Sequence, residues 1–498
     1  MEIIKVTQRN AVDLQVECNA GIAMELTEFF SFFVPNYKFM PTYKNKQWDG
    51  KIKLFNRVNY TLPVGLLPHL RAFGQQFGYV VEAEMMTDNA GVSNEELWGF
   101  CKSLNLHLKG KPIQIYDYQF AAVKYAINEG RGLLISPTGS GKSLILYVLM
   151  RWYESKGLKK QLLIVPTTQL VEQMFGDWDD YSSHDDSWCA SDFCHRIYDG
   201  AKKHDIEEPV VISTWQSIFR LNGQWFCNFD VIFGDEVHTF TAKSLSSIMN
   251  KSKTVFRRIG VTGTLDGTLT HELVLQGQFG RIKTVTTMKE LQDREILEYL
   301  KIRMIYVEHS DEARKFLHGL EYHDEIEYLI RNEERNNLIV SMADSFKGNT
   351  LVLFIRVEQH GEVLHKLFKD KYPDCPSYFV SGKVDTADRE AVRRIVEQEK
   401  RSVTFASLGT FSTGINIKNL HNIVFAAPSK GQIKVLQSIG RGLRKSESGQ
   451  ITRLYDIVDD ISHNGKPNFA LRHGKIRHQI YRKQKQDVEL IKVKLEPK

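Results

Sequence analysis

The stretch GLLISPTGSGKSLILYVLM, residues 132–150, decides how the rest of the chain is read. A short apolar run enters a Ser-Pro-Thr-Gly-Ser-Gly-Lys-Ser turn, and a long apolar segment comes after it. A strand ending at Ser136 and a helix starting near Lys142 would gather several backbone N–H groups at one point. Gly139 and Gly141 would let the chain turn so that those amides approach an anion. The helix N-terminus adds favourable potential for negative charge. In this pattern Thr138, Gly139, Ser140 and Gly141 form a cradle, Lys142 neutralises the β- and γ-phosphates of ATP, and the Ser143 hydroxyl ligates Mg²⁺. Ser136 stands where the usual spelling G-x-x-x-x-G-K-[ST] has its first glycine. That departure is tolerable because the free amides are needed mainly in the last part of the loop.

Outward from this turn, short β-rich runs alternate with helical patterns over residues 132–285: GLLIS, QLLIVP, PVVIST, FDVIFGDE, RRIGVTGT and RIKTV. Runs this apolar suit a parallel sheet covered on both faces. The rhythm restarts with TLVLFI at 350–355, then SYFV, RSVTFAS, NIVFAAP and ITRLYDIVD. The pattern predicts two α/β domains in tandem. Only the first carries a Gly-Lys-Ser loop. TLVLFI, read as the first strand of the second, leads to RVEQHGEVL, which has no comparable phosphate cradle. Residues 286–349 contain charged helical stretches and read as the connection and the first helix of the second α/β domain. Residues 1–100 lack the βαβ rhythm and read as a separate α+β domain. The expected division is 1–100, 110–285, 286–470, and a basic helical tail at 471–498. No short repeat appears.

The chain has 498 residues, 42% hydrophobic and 25% charged, as in soluble globular proteins. No apolar run is long enough to span a bilayer and the N-terminus has no secretory pattern, so a soluble cytoplasmic protein is expected. The six cysteines form no C-x-x-C pair, and His184, Cys189, Cys194 and His195 fit no common zinc spacing. Reduced thiols are the expectation. Of the formal charge of +6, all lies in residues 472–498, where nine Lys and Arg face three Asp and Glu; the remainder balances. Such a tail is either a solvated helix face or a contact to a phosphate backbone.

Two further motifs carry chemistry. In FDVIFGDEVH, apolar residues lead to Asp235 and Glu236 at a strand end, the place where sites collect in parallel sheets. Asp235 can hold Mg²⁺ and Glu236 can orient and deprotonate the attacking water. In QSIGRGLRK, 437–445, a helix would place Gln437, Arg441 and Arg444 on one face. Gly440 and Gly442 oppose that helix, a local inconsistency of the kind found at functional sites. Arginines there could reach the γ-phosphate of ATP on the first domain and accelerate hydrolysis by roughly 10³–10⁵.

Together these segments resemble the superfamily 2 helicases, with each motif in the expected order over residues 110–460. YDYQ, with Gln119, resembles the adenine-reading motif, SPTGSGKS motif I, PTTQLVEQ motif Ia and STWQSI motif Ib. GDEVH resembles motif II, TGT at 262–264 motif III, LVLFIRV motif IV, SLGTFSTGINIKNLHNIV motif V and QSIGRGLRK motif VI. His238 places the chain with DExH motors, and Asn416 stands where many relatives carry Asp. Including YKNKQWDGKIKLFN near its start, the whole chain resembles the UvsW family of T4-type phages. The resemblance implies two RecA-like domains and an ATP-dependent motor acting on branched and single-stranded DNA and on RNA–DNA hybrids in recombination, repair and replication. It also implies the infected host cytoplasm as location, and single-strand binding and recombination proteins as partners. By the same resemblance Gln119, Gly414, Asn416 and Gln437 touch nucleotide, while His238, Thr262 and Thr264 couple the nucleotide to the strand.

Expected strand contacts are Thr167, Thr168, Thr214 and Gln216 in the first domain and Arg356, Thr410 and Thr413 in the second, since hydroxyls and amides suit phosphate contact without base reading. Lys44, Lys46 and Trp48 belong to an aromatic and basic stretch suited to stacking plus phosphate attraction. Removing residues 1–95 is expected to spare strand-stimulated ATPase and weaken junction unwinding. Competing readings are an RNA helicase or remodeller, an annealing protein with incidental ATPase, and a restriction-type translocase.

Overall fold

The structure, a computed structural model, describes residues 2–34, 37–86, 91–198, 200–240, 242–263, 265, 269–297, 300–382, 386–413, 420–428 and 452–495. Among them no helix is long and apolar enough to cross a membrane.

At the N-terminus, β1 (Ile3–Gln8) and β2 (Asp13–Glu17) pair antiparallel. A small hairpin of β3 (Ser31–Phe33) and β4 (Lys51–Lys53) comes next, then β5 (Thr61–Pro63) and β6 (Val80–Glu84), giving a four-stranded sheet ordered β5-β2-β1-β6. Strict in–out alternation along β1 turns Ile4 and Val6 inward with Leu14 and Val16 of β2. Helices Ala20–Phe29 and Leu67–Phe77 cover that face with Ile22, Leu26, Leu70 and Phe73.

This core extends into the region of the first parallel sheet. Leu273 of the helix Leu269–Phe279 is one of its members. Gly65 packs so tightly on that helix that a Cβ there would fall 1.9 Å from the Gln276 carbonyl oxygen. The half-buried Arg131 donates from its guanidinium to the carbonyls of Ala11 and Gln278, and the Ala11 amide donates to the Lys253 carbonyl at 2.9 Å. The first 95 residues are therefore packed against this part of the chain, not joined to it by a linker alone. Truncating them bares Leu273 and its neighbours, at a cost of about 1.5–3 kcal/mol per large apolar side chain. A thermal midpoint several degrees lower, with loss of both ATPase and unwinding, is the expected result, in place of the separation of activities expected from the sequence. A truncated protein melting like the full chain would overturn this.

A short hairpin, β7 (His107–Leu108) and β8 (Lys111–Pro112), and the helix Asp117–Glu129 lead into the first parallel sheet. Its strands are β9 (Arg131–Ile135), β10 (Gln161–Val165), β11 (Cys194–Ile197), β12 (Val210–Thr214), β13 (Val231–Gly234), β14 (Arg257–Thr262) and β15 (Ile282–Thr284). The second sheet has β16 (Leu300–Glu308), β17 (Thr350–Phe354), β18 (Ser377–Val380), β19 (Val403–Ser407), β20 (Asn422–Phe425), β21 (Thr452–Asp460) and β22 (Val488–Lys494). The spatial orders are β11-β12-β10-β13-β14-β9-β15 and β18-β19-β17-β20-β21-β16-β22. Counted along each domain, both read 3-4-2-5-6-1-7, so the chain repeats one topology without a visible sequence repeat. Inner strands are buried on both faces, every residue of Gln161–Val165 and of Thr350–Phe354 included.

Three strands of the two parallel sheets were not foreseen. β16 carries Lys301, Arg303 and Glu308 because it lies next to the sheet edge, so its charges hid a first strand within the segment read as helical. The strand opening the second domain is thus β16, leading to HSDEARKF, and TLVLFI is the second. β22 lies in the basic tail: the tail is helical over Phe469–Lys483 and then adds an edge strand beside β16. β11 is a short edge strand. The helix Asn94–Ser103 runs across the expected boundary at residue 100 and packs Leu97 and Cys101 into the core of the first parallel sheet.

Candidate nucleotide and strand-binding sites

The turn after β9 is built as its residues demand. Gly139 and Gly141 take φ of +87° and +80°, values that side-chain-bearing residues rarely adopt, and Gly141 caps the helix Lys142–Ser155. The Ser140 hydroxyl is buried and donates to the Pro137 carbonyl at 2.7 Å. Thr138 is half-buried. Ser143 lies in the first turn of the helix, its hydroxyl 2.9 Å from that of Tyr181. Gln119 is buried; its Oε1 accepts from the Tyr116 amide at 2.9 Å, and its amide nitrogen closes on Gly141, where a Cβ would meet it at 2.3 Å. The glutamine is thus wedged against the phosphate loop.

Beyond β13 the chain turns sharply, with Glu236 in the left-handed region at φ +47°. A non-glycine residue there is uncommon and strained, a mark of functional sites. The strain aims the Glu236 carboxylate at Lys142, Oε1 to Nζ 3.0 Å, while Oε2 accepts from the Gly263 amide at 3.2 Å and lies 3.3 Å from His238 Nδ1. His238 Nδ1 in turn bonds the Thr262 hydroxyl, and the Thr262 carbonyl accepts from the Ser136 amide at 2.9 Å. Phosphate loop, acidic turn and the end of β14 form one connected network. Thr264 lies outside the described residues.

The two carboxylates are driven apart in acidity. Burial, and then the like charge of Glu236, push Asp235 up to about 7 against the pull of Lys142. Burial acts the same way on Glu236, but Lys142 above all, with His238, holds it well below the usual carboxylate range. One acid is fixed as an anion while its neighbour is poised near neutrality, the pattern of sites that handle protons or metal.

The other expected positions are less uniform. Thr167 caps the helix Thr168–Tyr181, accepting from the Leu170 amide at 3.3 Å, and Thr168 is exposed. Gln216 is exposed and donates to the Pro166 carbonyl at 3.2 Å, tying the two loops together. Thr214 is buried, its hydroxyl 2.8 Å from that of Ser217, and Thr410 is buried with its hydroxyl 2.6 Å from Ser407. Both hydroxyls are turned inward, so neither offers the exposed contact expected of it. Thr413 ends the helix Leu408–Thr413. Arg356 adopts φ +56° and opens a π-turn over Val357–Gly361, with its guanidinium donating to Gln359 at 2.9 Å and His323 at 3.1 Å. Near the N-terminus Lys44 and Lys46 are exposed, whereas the Trp48 indole is half-buried and donates to the Lys51 carbonyl at 2.8 Å, propping the hairpin. The rings presented to solvent are those of Phe33 and Phe39.

A family model described as DNA helicase UvsW, N-terminal, matches residues 3–84, and one described as Type III restriction enzyme, res subunit, matches residues 112–267. The ATP-dependent DNA helicase uvsW of Enterobacteria phage T4 is 34% identical over 500 residues, covering 97% of this chain and 98% of that protein. The chain belongs to the UvsW family of helicases. The crystal structure of T4 UvsW matches over 100% of both chains at 33% identity and a TM-score of 0.53. A DNA-bound type ISP restriction-modification enzyme, LlaBIII, matches 77% of this chain and 32% of its own at 15% identity and a TM-score of 0.57, a likeness of fold.

As a UvsW-family helicase the chain is an ATP-hydrolysing enzyme with two RecA-like sheets, only the first of which carries the phosphate loop. The second sheet carries a different arrangement there. At the same edge, where strands 1 and 6 end, Asp459 accepts from Arg335 Nε at 2.8 Å and lies 3.2 Å from His309 Nε2, and Arg335 also donates to the Ala426 carbonyl at 2.8 Å. All three side chains are buried. A buried ionic cluster occupies the position that corresponds, by strand order, to the Gly-Lys-Ser loop of the first sheet. The remaining motif residues, Gly414, Asn416, Gln437, Arg441 and Arg444, lie outside the described residues. Sequence reasoning missed Tyr181, which meets Ser143, and His323 and Gln359, which hold Arg356. No spacing signal announces Tyr181 or His323, which come from separate helices, and Gln359 is brought to Arg356 by the local π-turn.

Proposed function

We propose that this UvsW-family helicase couples ATP hydrolysis to unwinding and branch migration of branched DNA, junctions and stalled forks, and of RNA–DNA hybrids, in recombination, repair and replication inside the infected host. The observation that carries the reading is the Lys142–Glu236–His238–Thr262 network, which ties the phosphate loop to the end of β14. Loss of the γ-phosphate changes what Lys142 balances, and the change reaches the strand-facing loops through neighbouring hydrogen bonds.

In this reading Gln119 selects adenine, Thr138 to Gly141 cradle the phosphates and Glu236 activates water. Ser143 and Asp235 would hold Mg²⁺, and the residues fit: a dication offsets the burial and like charge that raise Asp235, while the Ser143 hydroxyl stands at the same helix start as Lys142. Mg²⁺ supplies charge neutralisation of the β- and γ-phosphates. Arg441 and Arg444 are assigned to the γ-phosphate, and Gly414, Asn416 and Gln437 to further nucleotide contacts. The strand runs past Thr167, Thr168 and Gln216, and past Arg356, whose strained backbone and fixed guanidinium suit a phosphate contact.

Branch selection falls to the N-terminal hairpin. It displays Lys38, Lys44 and Lys46 beside exposed Phe33 and Phe39, whereas on the open face of the adjoining sheet Lys5 stands between Glu17 and Glu82, with Glu84 further along the same strand. DNA is steered to the hairpin side. Single-strand binding and recombination proteins are the expected partners. The test is unwinding of a four-way junction, an R-loop and a plain duplex at equal salt and ATP. Preference for the first two supports the reading; equal rates on all three, or action on RNA duplexes alone, overturns it.

A further inference from the structure

The helix Phe469–Lys483, FALRHGKIRHQIYRK, contains no carboxylate. Its rotation about its own axis is pinned from inside. Arg477 is buried and bidentate to Asp456, with Nε to Oδ2 at 2.9 Å and Nη2 to Oδ1 at 2.7 Å; the Tyr481 hydroxyl donates to the same carboxylate at 2.8 Å. Gly474 lies against Val458 so closely that a Cβ would meet it at 2.3 Å. Glu325 accepts from the Phe469 and Ala470 amides at 2.9 and 2.7 Å, fixing the helix start. Arg477, one of the cations that the tail's composition offers to a phosphate backbone, is therefore a core residue.

What this clamp leaves outside is a stripe. Arg472, Lys475, Gln479 and Arg482 are exposed and fall within about 80° of one another around the helix, over about 15 Å of its length. Among the described residues no carboxylate lies within ion-pair distance of Arg472, Lys475 or Arg482. Arg472 is braced over the Phe469 ring at 4.2 Å. Acidic neighbours at i±3 or i±4 would offset such cations; here three stand on a rigid face with none. Duplex DNA carries one negative charge per about 1.7 Å of axis, and its major groove is about 12 Å across, so cations spread over about 15 Å can reach phosphates on both walls of one groove.

We propose that this helix face is a second, sequence-independent contact to the backbone of duplex DNA, holding an arm of the substrate against the second RecA-like domain. The proposal rests on the reading of this helicase as a DNA motor and adds a site to it. It predicts which charges of the basic tail bind and which do not: Arg472, Lys475 and Arg482 contact phosphate, and Arg477 does not.

The test measures binding of the full-length protein to a junction with duplex arms, and to a single strand, across a salt series. Changing Arg472, Lys475 and Arg482 together to Gln should lower the slope of log K against log salt by about 2.7 on the junction, with an affinity loss on the order of a hundredfold at 0.1 M salt. The loss on single strands should be smaller. The charge-preserving pair Arg472→Lys and Arg482→Lys should bind as the parent does, and an unchanged thermal midpoint shows that the triple variant is folded. An unchanged slope in the folded triple variant overturns the second contact while leaving the DNA reading intact. Failure of the parent protein to bind either DNA overturns the reading itself. An equal loss on single strand and junction places the stripe on the translocated strand and also overturns the duplex-arm assignment.

Discussion

Replacing Lys142 by Ala is expected to cut strand-stimulated ATP hydrolysis by 10²–10³-fold or more, the scale for removing a group that stabilises charge in a transition state. The structure gives two reasons for so large an effect. The first is the lost neutralisation at the phosphates. The second is local: Lys142 is the main influence that keeps Glu236 ionised against its burial, with Nζ 3.0 Å from Oε1. Without that cation two neighbouring carboxylates compete in a shielded turn, and the pair retains a proton to higher pH. The residual activity of Lys142→Ala should therefore rise with pH further into the alkaline range than that of the parent. Steady-state phosphate release from pH 6 to 9 reads both effects. Unwinding should vanish with hydrolysis. If the protein is instead an annealing factor with incidental ATPase, annealing of complementary strands survives the substitution at the parental rate and accounts for all activity on junctions. A Lys142→Ala protein that still unwinds would show that the phosphate loop does not drive the motor.

How far the site could be read from sequence depends on how local each part is. The phosphate loop and the acidic turn are contiguous motifs, so Gly139 to Ser143 and Asp235 to Glu236 could be placed by spacing alone. What spacing could not show is the φ of +47° at Glu236, which is imposed by the turn after β13 and sets where the carboxylate points. The parallel sheets were legible wherever a strand is buried on both faces, as in QLLIV and TLVLF, because burial leaves an unbroken apolar run. The strands that were missed lie at or next to a sheet edge. LKIRMIYVE and VELIKVK alternate apolar with charged residues because part of each is solvated, and a charged edge strand discourages pairing with another chain. Their charges look like helix surface until the pairing of β16 with β22 is seen. Composition was limited in the same way at the tail: its nine basic residues read as either a solvated face or a phosphate contact, and in neither reading is Arg477 inside the domain opposite Asp456, where it lies. Thr214 and Trp48 show the remaining limit, since residue type suggests a contact but only packing tells whether the group faces outward.

Arg335→Met should destabilise the second RecA-like domain by about 3–5 kcal/mol near pH 7.5, the usual cost of stranding one member of a buried ion pair. In the parent, burial works against the Asp459 anion, but Arg335 first and then His309 hold its carboxyl well below the ordinary range. A depressed carboxylate adds stability above its unfolded pKa, and that stability is lost as pH falls below about 4. Removing the guanidinium reverses the sign. Burial then raises Asp459, so the variant loses stability as pH rises through the range where the carboxyl must ionise, and the gap between variant and parent should narrow from pH 7.5 toward pH 5. All seven tryptophans lie between Trp48 and Trp225, within the first unit of the chain. Tryptophan fluorescence thus reports on that unit, while far-ultraviolet circular dichroism reports on both. The expected result is an early transition in circular dichroism that fluorescence does not share. Pairing Arg335→Met with Asp459→Leu removes the stranded charge and should recover most of the loss. A single variant that melts like the parent at pH 7.5 would mean that the buried ionic cluster carries no net stability; a double variant as unstable as the single one would mean that the loss comes from packing around Arg335 and not from the unpaired carboxylate.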